Sequence, residues 1–512
     1  MDEVELKLLL DEAGEARLRR AATAAGRGRS ATLLTRYFDT PDGALGRAGI
    51  ALRLRREGRR WVQTVKVRAR HSAGLSAARE AETPAPGGRL DLGRIADGDL
   101  RERVETAVNG DALAPVFETE MRRTRFRLLP DGASEVELAI DAGEIRSGAR
   151  AAPHREAEFE LVSGDPAALF LAARQLIPAG GVVFSTLSKA ERGARLAAEG
   201  QTCDPAVPRK AAEVAIDRGM TAETAGEAVL AECLDQIAGN ARAILASDDP
   251  EGPHQLRVGL RRLRTAFRLW REPFDGLGLR RLGVEAHWLG CEVGRLRDLD
   301  VAICDLLRPA AARAEAEPGF APLLATLGAR AEAERAALRA TLAGPRMQAF
   351  LFDLAQFIAL RGWLDPADHA QTGRLARPAT DLAAAELGRI WARTSRRARG
   401  IDHLDIEARH ELRKALKGLR YAIEFLGPLY PAKRVGSMLK PLRALQEIFG
   451  NLNDLAMAEA LFMAPDGPAA TDPATARAAG RVIGARAVLA EEDWAQARAR
   501  WRALKKVKPF WA

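Results

Sequence analysis

Glu3-Val4-Glu5-Leu6-Lys7 sets the pattern on which the first part of this chain is built. Charged residues at 3, 5 and 7 alternate with apolar residues at 4, 6 and 8, so the two kinds point to opposite faces of a strand. The same period of two returns in Leu52-Arg53-Leu54-Arg55, in Thr64-Val65-Lys66-Val67-Arg68 and in Arg123-Thr124-Arg125-Phe126-Arg127-Leu128. It returns again where Glu135, Glu137 and Asp141 fall opposite Val136, Leu138 and Ile140. Glu156, Glu158 and Glu160 likewise fall opposite Ala157, Phe159 and Leu161. Turn signals divide these runs at Pro41-Asp42-Gly43, Glu57-Gly58, Pro130-Asp131-Gly132 and Ser147-Gly148. Glu12 to Ala25 and Pro166 to Leu176 read as helices able to cover part of the apolar face.

After residue 198 the period changes. Residues 199–218, with Gly200, Asp204-Pro205 and Val207-Pro208, read as a linker. From 219 to 505, long Ala/Leu/Arg segments follow the helical period and are broken by Pro and Gly, as in a helical bundle. This half repeats itself. The segment His254-Gln-Leu-Arg257-Val-Gly-Leu-Arg261-Arg-Leu-Arg264 returns 156 positions later as His410-Glu-Leu-Arg413-Lys-Ala-Leu-Lys417-Gly-Leu-Arg420. Gly294-Arg-Leu-Arg-Asp298-Leu returns at the same offset as Gly450-Asn-Leu-Asn-Asp454-Leu, so the region is a duplicated helical unit.

With 512 residues the chain needs more than one core. Its net charge of +9 points to an anionic partner. Cys203, Cys233, Cys291 and Cys304 are scattered without metal-ligand spacing, which argues against a disulfide framework or a zinc site. The opening MDEVELKL resembles neither a signal nor a transit peptide, and no run approaches a bilayer span. The expectation is a cytoplasmic protein that makes no membrane contact.

The charges of the first part are sorted by strand. Acidic sets come from Glu3/Glu5, Glu135/Glu137/Asp141 and Glu156/Glu158/Glu160, and basic sets from Arg53/Arg55, Lys66/Arg68 and Arg123/Arg125/Arg127. A solvated face mixes signs within each strand; blocks of one sign suit a metal–polyanion complex. If the sheet closes with this face inward, crowded carboxylates must rise in pKa or gain a cation. Mg²⁺ accepts carboxylate oxygens and shares its shell with phosphates. Arg and Lys then grip the remaining phosphate oxygens, each charge-assisted contact contributing roughly 1.5–3 kcal/mol.

Glu3-x-Glu5-x-Lys7 resembles the ExExK signature of CYTH domains, the triphosphate tunnel metalloenzymes. It is joined in family order by Tyr37-Phe38-Asp39-Thr40, Leu52-Arg53-Leu54-Arg55, Thr64-Val65-Lys66, Arg123-x-Arg125, Glu137-Leu-Ala-Ile-Asp141-x-Gly143, Glu156-x-Glu158-x-Glu160-Leu161 and Ser188-Lys189-Ala190. These motifs span nearly all of a first domain placed at 1–198. The resemblance implies an eight-stranded antiparallel tunnel that binds a triphosphate with Mg²⁺ or Mn²⁺ and hydrolyses its terminal phosphate. It places Glu3, Glu5, Glu137, Glu158 and Glu160 on the metal side. Lys7, Arg53, Arg55, Lys66, Arg123, Arg125 and Lys189 fall on the phosphate side, and Lys7, Glu137 and Glu158 are candidates for the chemistry itself. Which carboxylate acts as base stays open. The chain departs from the family in Ala78-Arg79-Glu80: in register with Glu80, Ala78 stands where the family carries Arg, and Arg79 is expected to point outward.

In the second half His254, Arg257, Arg261, Arg264 and Arg268 line one helix face, and His410, Arg413, Lys417 and Arg420 repeat it. Leu256-Leu260-Leu263-Phe267 and Leu412-Leu416-Leu419-Ile423 form the adjoining core stripes. No acid interrupts the first basic stripe, and Asp298 and Asp454 are expected to pair with its cations or cap helices. No nucleophile–base pair is present, so this half reads as a binder. It resembles a CHAD domain over 219–505, which implies two pseudo-symmetric helical bundles whose basic groove binds inorganic polyphosphate. Asn451, Asn453 and Glu424 replace Arg295, Arg297 and Arg268 of the first repeat, so the second face is expected to be less basic.

The fold class expected is therefore α+β: an antiparallel tunnel with flanking helices, then an all-α duplicated bundle. The favoured function is hydrolysis of inorganic tripolyphosphate, with long-chain polyphosphate held by the helical half and the protein associated with polyphosphate granules. Thiamine triphosphate, a nucleoside triphosphate, or ATP cyclised to cyclic AMP are alternative substrates. Few aromatics (Tyr37, Trp61) are available to stack a base, which weighs against nucleotides. A non-catalytic binder of polyphosphate or nucleic acid also fits the charge, but the basic helices lack the interleaved aromatics of single-strand binders.

Overall fold

A computed structural model describes residues 3–72, 75–177, 183–185, 187–202, 206–314, 316–464, 467–470 and 472–511. The side chains of Glu3 and Arg68, and the linker dipeptide Asp204-Pro205, lie outside the described residues. The chain divides into two compact units. The first comprises Met1–Val207, Leu245–Ser247 and Leu342–Gly362; the second comprises Pro208–Ile244, Asp248–Thr341 and Trp363–Ala512.

Among the described residues the first unit has nine strands: β1 (Glu3–Leu9), β2 (Arg29–Asp39), β3 (Ile50–Glu57), β4 (Arg60–Ser72), β5 (Leu75–Pro84), β6 (Ala114–Leu128), β7 (Glu135–Ser147), β8 (Arg150–Ser163) and β9 (Val183–Phe184). They run in the order β5-β4-β3-β2-β6-β7-β8-β1, and β1 pairs back onto β5. The first eight strands thus close an antiparallel ring, as the alternating pattern and the tunnel resemblance imply. The ninth, β9, extends β1 beyond its contact with β5, through Leu8↔Phe184 and Leu9↔Val183. Closure leaves the ring without free edges and fixes which face points in.

Apolar parts of the outer face are covered by helices α1 (Glu12–Ala25), α2 (Ala44–Arg47), α3 (Gly98–Val108) and α4 (Ala167–Leu176), and a fifth helix, α5 (Lys189–Glu199), lies against the cavity. Asp11 and Asp97 cap α1 and α3 by accepting from the backbone N–H of Gly14 and Leu100. Leu100, Val104 and Val108 of α3 pack with Leu45 of α2 on Ile50, Leu52, Val65 and Val67. The sequence reading anticipated α1 and α4; α3 and α5 were not singled out.

α5 does something different from the other helices: it packs against Tyr37, Phe117, Met121 and Ile145 through Leu196. A capping box of Ser188 and Glu191 starts this helix, so Lys189 is its first residue. Gly193 permits the approach, since a Cβ there would lie 2.0 Å from the Phe117 ring.

The second unit is helical, and one helix of the same half of the sequence belongs to the first unit instead. In chain order the helices are α6 (Ala222–Ala246), α7 (Glu251–Leu269), α8 (Leu277–Asp300), α9 (Arg308–Arg313), α10 (Phe320–Ala343), α11 (Pro345–Ala359) and α12 (Gln371–Ala376). They continue with α13 (Ala379–Arg397), α14 (Ile406–Leu426), α15 (Ala432–Phe462) and α16 (Pro473–Lys505). The sequence repeat maps α7 and α8 onto α14 and α15. Leu256, Leu260, Leu263 and Phe267, and likewise Leu412, Leu416, Leu419 and Ile423, are buried as their spacing implies. The exception is α11, which packs within the first unit. Its Phe352 meets Phe184 edge-on at 5.3 Å, Asp353 pairs with Arg174 of α4 at 2.7 Å, and Gln348 donates to the Ile177 carbonyl at 2.7 Å. Among the described residues no helix is long and apolar enough to cross a membrane.

Substituting Gly193→Ala forces a methyl into the Phe117 ring. It is expected to lower the stability of the first unit by about 1–3 kcal/mol, visible as a fall in its thermal midpoint. An unchanged midpoint would mean that α5 does not press on Phe117.

Candidate active site

The strand register builds the interior. β1, β8 and β7 lie side by side, with Glu5 opposite Glu160 and Glu160 opposite Glu137. One step along, Lys7 faces Glu158; one further, Glu156 faces Asp141, which in turn faces Arg123 of β6. Basic residues enter from the other strands: Arg53 and Arg55 from β3, Lys66 from β4, and Arg123 and Arg125 from β6. All of these charges except Glu156 and Asp141 line one cavity of about 740 Å³. Of the residues proposed from the sequence, Glu5, Lys7, Arg53, Arg55, Lys66, Arg123, Arg125, Glu137, Glu158, Glu160 and Lys189 all line it. Glu3 is the exception, because its side chain lies outside the described residues.

Part of the cavity is already neutralised. The Lys189 ammonium, carried in by α5, sits 2.5 Å from Glu156, 2.8 Å from Glu158 and 2.9 Å from Asp141. Arg123 reaches Asp141 at 2.6 Å and Glu158 at 2.5 Å, and Lys7 stands 3.4 Å from Glu158. Burial alone would raise the Glu158 pKa; Lys189, Arg123 and Lys7 overcome it and hold the carboxyl well below its ordinary value. Burial would equally lower Lys7, but Glu5, Glu158 and Glu156 raise it instead. Asp141 and Glu156, present in the alternation but not picked out as site residues, thus complete a buried ionic hub. Lys189 donates to Glu156 and Glu158 and pairs with Asp141, and both oxygens of Glu158 are engaged by cations.

Two charged groups of the cavity are not neutralised in this way. Burial and the neighbouring Glu5, Glu137 and Glu158 push the Glu160 carboxyl above its ordinary pKa. Among the described residues Glu160 makes no hydrogen bond or ion pair. Arg55 makes none either, and burial together with Arg53 and Arg123 brings its pKa down to about 10. The Nε atoms of Arg53 and Arg55 are buried without a partner. Opposed like charges are unfavourable on a sheet, so Glu160 calls for a cation and Arg55 for an anion. The donors suit a hard divalent ion. Among the described residues no group of three or more His, Cys, Asp or Glu is gathered closely enough to hold one. Glu5 is held instead by Lys7 at 2.8 Å and Lys66 at 3.0 Å, and Glu137 by Arg125 at 3.3 Å and Arg127 at 3.5 Å.

Glu80, missed as a site residue, accepts from Arg53 at 3.1 Å and pairs with Lys66 at 3.2 Å. Its neighbours fall as the departure from the family pattern implied. Ala78 lines the cavity, while Arg79 turns outward to Asp97 at 2.6 Å and Asp99 at 3.3 Å.

In the second unit α7 and α14 pack together, and their basic stripes form one surface rather than two separate faces. Arg261 is pushed down to about 10 by burial and by Arg257 and Arg413. Arg257 pairs with Asp298 at 2.6 Å, as expected for that aspartate. His254 is half-buried and His410 exposed, so neither is a core residue. Arg264 and Arg268 face outward near Arg389 and Arg393 of α13, a further basic stretch that the sequence reading passed over. Glu424, in place of a cation, pairs with Arg443 at 3.0 Å and Arg262 at 3.5 Å.

A closed antiparallel ring with a sign-sorted interior, followed by a duplicated basic bundle, defines a tunnel-and-bundle protein. Residues 1–194 match the family model of the CYTH domain and residues 228–462 that of the CHAD domain. The chain carries a CYTH domain followed by a CHAD domain. An inorganic triphosphatase of Haemophilus influenzae is 32% identical over 158 residues, covering 31% of this chain and 44% of that protein. The chain thus spans less than half the length of this curated relative. The crystal structure of the CHAD domain from the plant Ricinus communis is similar at 29% identity and a TM-score of 0.50, over 59% of this chain and 98% of that one.

Because its folded-state pKa is raised, Glu160 costs stability above that value, and the cost vanishes below the ordinary carboxylate pKa of about 4. Glu160→Gln is therefore expected to raise the thermal midpoint of the metal-free protein at pH 7. The gap to the unmodified protein should close as the pH falls below about 4. A lower midpoint at pH 7 would contradict the crowding of Glu5, Glu137 and Glu160.

Proposed function

We propose that the tunnel hydrolyses inorganic triphosphate with the help of a divalent cation, and that the helical unit binds inorganic polyphosphate. One observation supports the first reading above others: opposed carboxylates (Glu5, Glu160, Glu137) and arginines with unpartnered Nε atoms (Arg53, Arg55) face the same cavity. Glu160 in one block and Arg55 in the other have no ion-pair partner among the described residues, and a metal–triphosphate complex would bring both missing charges. The relative named an inorganic triphosphatase supports the same substrate class.

Glu5, Glu137 and Glu160 would hold Mg²⁺ or Mn²⁺ once Glu5 and Glu137 exchange their lysine and arginine partners for the ion, with Glu3 as a further candidate, and the ion would neutralise phosphate charge and polarise the terminal phosphoryl. Arg53, Arg55, Lys66, Arg123 and Arg125 orient the phosphate chain. They also stabilise charge on the equatorial oxygens as water forms the new P–O bond and the bridging P–O bond breaks. The products are phosphate and pyrophosphate. Lys7, bridging Glu5 and Glu158, links the carboxylate row to the buried hub. In this reading Lys189 and Glu158 hold the hub together and set the position of Arg123. Tyr37 and Phe117 stack on each other at 4.4 Å and are both buried, so they are not available to sandwich a nucleobase. That favours a purely inorganic substrate over ATP or thiamine triphosphate.

The test is phosphate release from tripolyphosphate, ATP and thiamine triphosphate, with and without Mg²⁺. Tripolyphosphate turnover that needs the metal is expected to dominate; metal-independent turnover, or a preference for ATP, would overturn the reading. Arg55→Ala removes a cation that stabilises nothing in the free protein. It should lower kcat/KM about ten- to hundred-fold, the equivalent of roughly 1.5–3 kcal/mol, without lowering the thermal midpoint. For the helical unit, long-chain polyphosphate is expected to displace DNA; failure to do so would remove the polyphosphate assignment.

A further inference from the structure

Lys417 lies at the centre of the α7–α14 surface. Arg413 stands one turn before it on α14 and Arg420 one turn after, while α7 brings Arg257 and Arg261 across from the other repeat. His254 of α7 and His410 of α14 also feel its charge. The carboxylates nearby are otherwise occupied. Asp298 of α8 is taken by Arg257 at 2.6 Å, and Asp454 of α15 interacts most strongly with Arg413. On the α13 side, Arg397 and Lys414 share Glu411 at 2.5 and 2.9 Å. Among the described residues the Lys417 ammonium has no hydrogen-bond or ion-pair partner. Its backbone cannot retreat, because Leu412, Leu416 and Leu419 are buried on the same helix.

A crowd of cations held in place by a packed core must relieve its repulsion somewhere. Guanidinium groups do not give up protons near neutral pH. A lysine amine can, because one N–H bond breaks and the proton passes to solvent, leaving a neutral amine. We propose that the α7–α14 surface captures polyphosphate together with one proton from solvent, which the Lys417 amine takes up as the polyanion arrives. This deepens, and rests on, the polyphosphate reading given above. Burial and the four surrounding arginines support it by bringing the free amine down to about 6. Phosphate oxygens cancel that repulsion and return the group toward the ordinary lysine value of about 10.4. Between those limits the bound state holds one more proton than the free state. Affinity therefore falls as pH rises, by up to about tenfold per pH unit.

The experiment is calorimetric titration of the full chain with long-chain inorganic polyphosphate at pH 7.5, without divalent metal. It is repeated in buffers of different ionisation enthalpy, for the natural sequence and for Lys417→Arg. Internal phosphates of a long chain stay ionised throughout, and Lys417→Arg keeps a cation that cannot shed its proton. The natural protein is expected to take up nearly one more proton per site than Lys417→Arg. Its affinity should weaken from pH 7 to 9 while that of the variant stays nearly level. Equal proton counts and parallel pH profiles would overturn the proton coupling while leaving polyphosphate binding intact. Absence of binding by both proteins would overturn the polyphosphate reading itself.

Discussion

Lys189 and its three carboxylates are the constraint from which the rest of the tunnel follows. A ring of strands that turns its charged face inward buries Asp141, Glu156 and Glu158 together, an arrangement that cannot persist as three bare anions. A single ammonium delivered by α5, with Arg123 from the opposite side, makes it tenable. Removing one partner from such a hub would leave buried charge uncompensated, typically a loss of about 3–5 kcal/mol. The hub also fixes geometry. Arg123 is held on two carboxylates, so its guanidinium group stands in a defined place in the cavity.

Around this fixed centre lie charges left incomplete. Glu160 and Arg55 each raise the energy of the empty tunnel, one by crowding among acids and the other by crowding among bases. A charge of opposite sign brought close to either group would relieve it. The helical unit follows a simpler rule. Its cations crowd one another on α7 and α14 with few acids between them, so it presents a positively charged surface.

Much of this was legible in the sequence, for a local reason. Strand alternation has a period of two wherever it occurs, so Glu5, Arg53, Lys66, Arg123, Glu137 and Glu158 could be assigned to one face without knowledge of their neighbours. Register is another matter. The pairing of Glu160 with both Glu5 and Glu137 depends on ring closure and on irregularities such as that between Glu135 and Val136. Nothing near residue 160 announces either. Lys189 illustrates the same limit: its motif placed it among phosphate ligands, whereas the insertion of α5 against Phe117 gives it to carboxylates more than thirty residues away. Asp141 and Glu156 read as two more strand acids until that helix is in place. The two basic stripes of the second half were plain from their spacing, but their merger into one surface is a property of helix packing.

The placement of α11 bears on how the chain is made. Phe352, Asp353 and Gln348 complete packing around Phe184, Arg174 and Ile177 in the first unit, although more than 150 residues separate the two sets. During synthesis from the N-terminus, the strands of the ring are all available by residue 184, yet this side of the ring stays bare until residue 353 has emerged. The first unit therefore finishes folding only after the segments of the second up to Thr341 have been translated. Nascent ring and nascent bundle must coexist for that interval with an apolar surface around Phe184 uncovered, a window in which a chaperone or a misplaced helix could compete with α11.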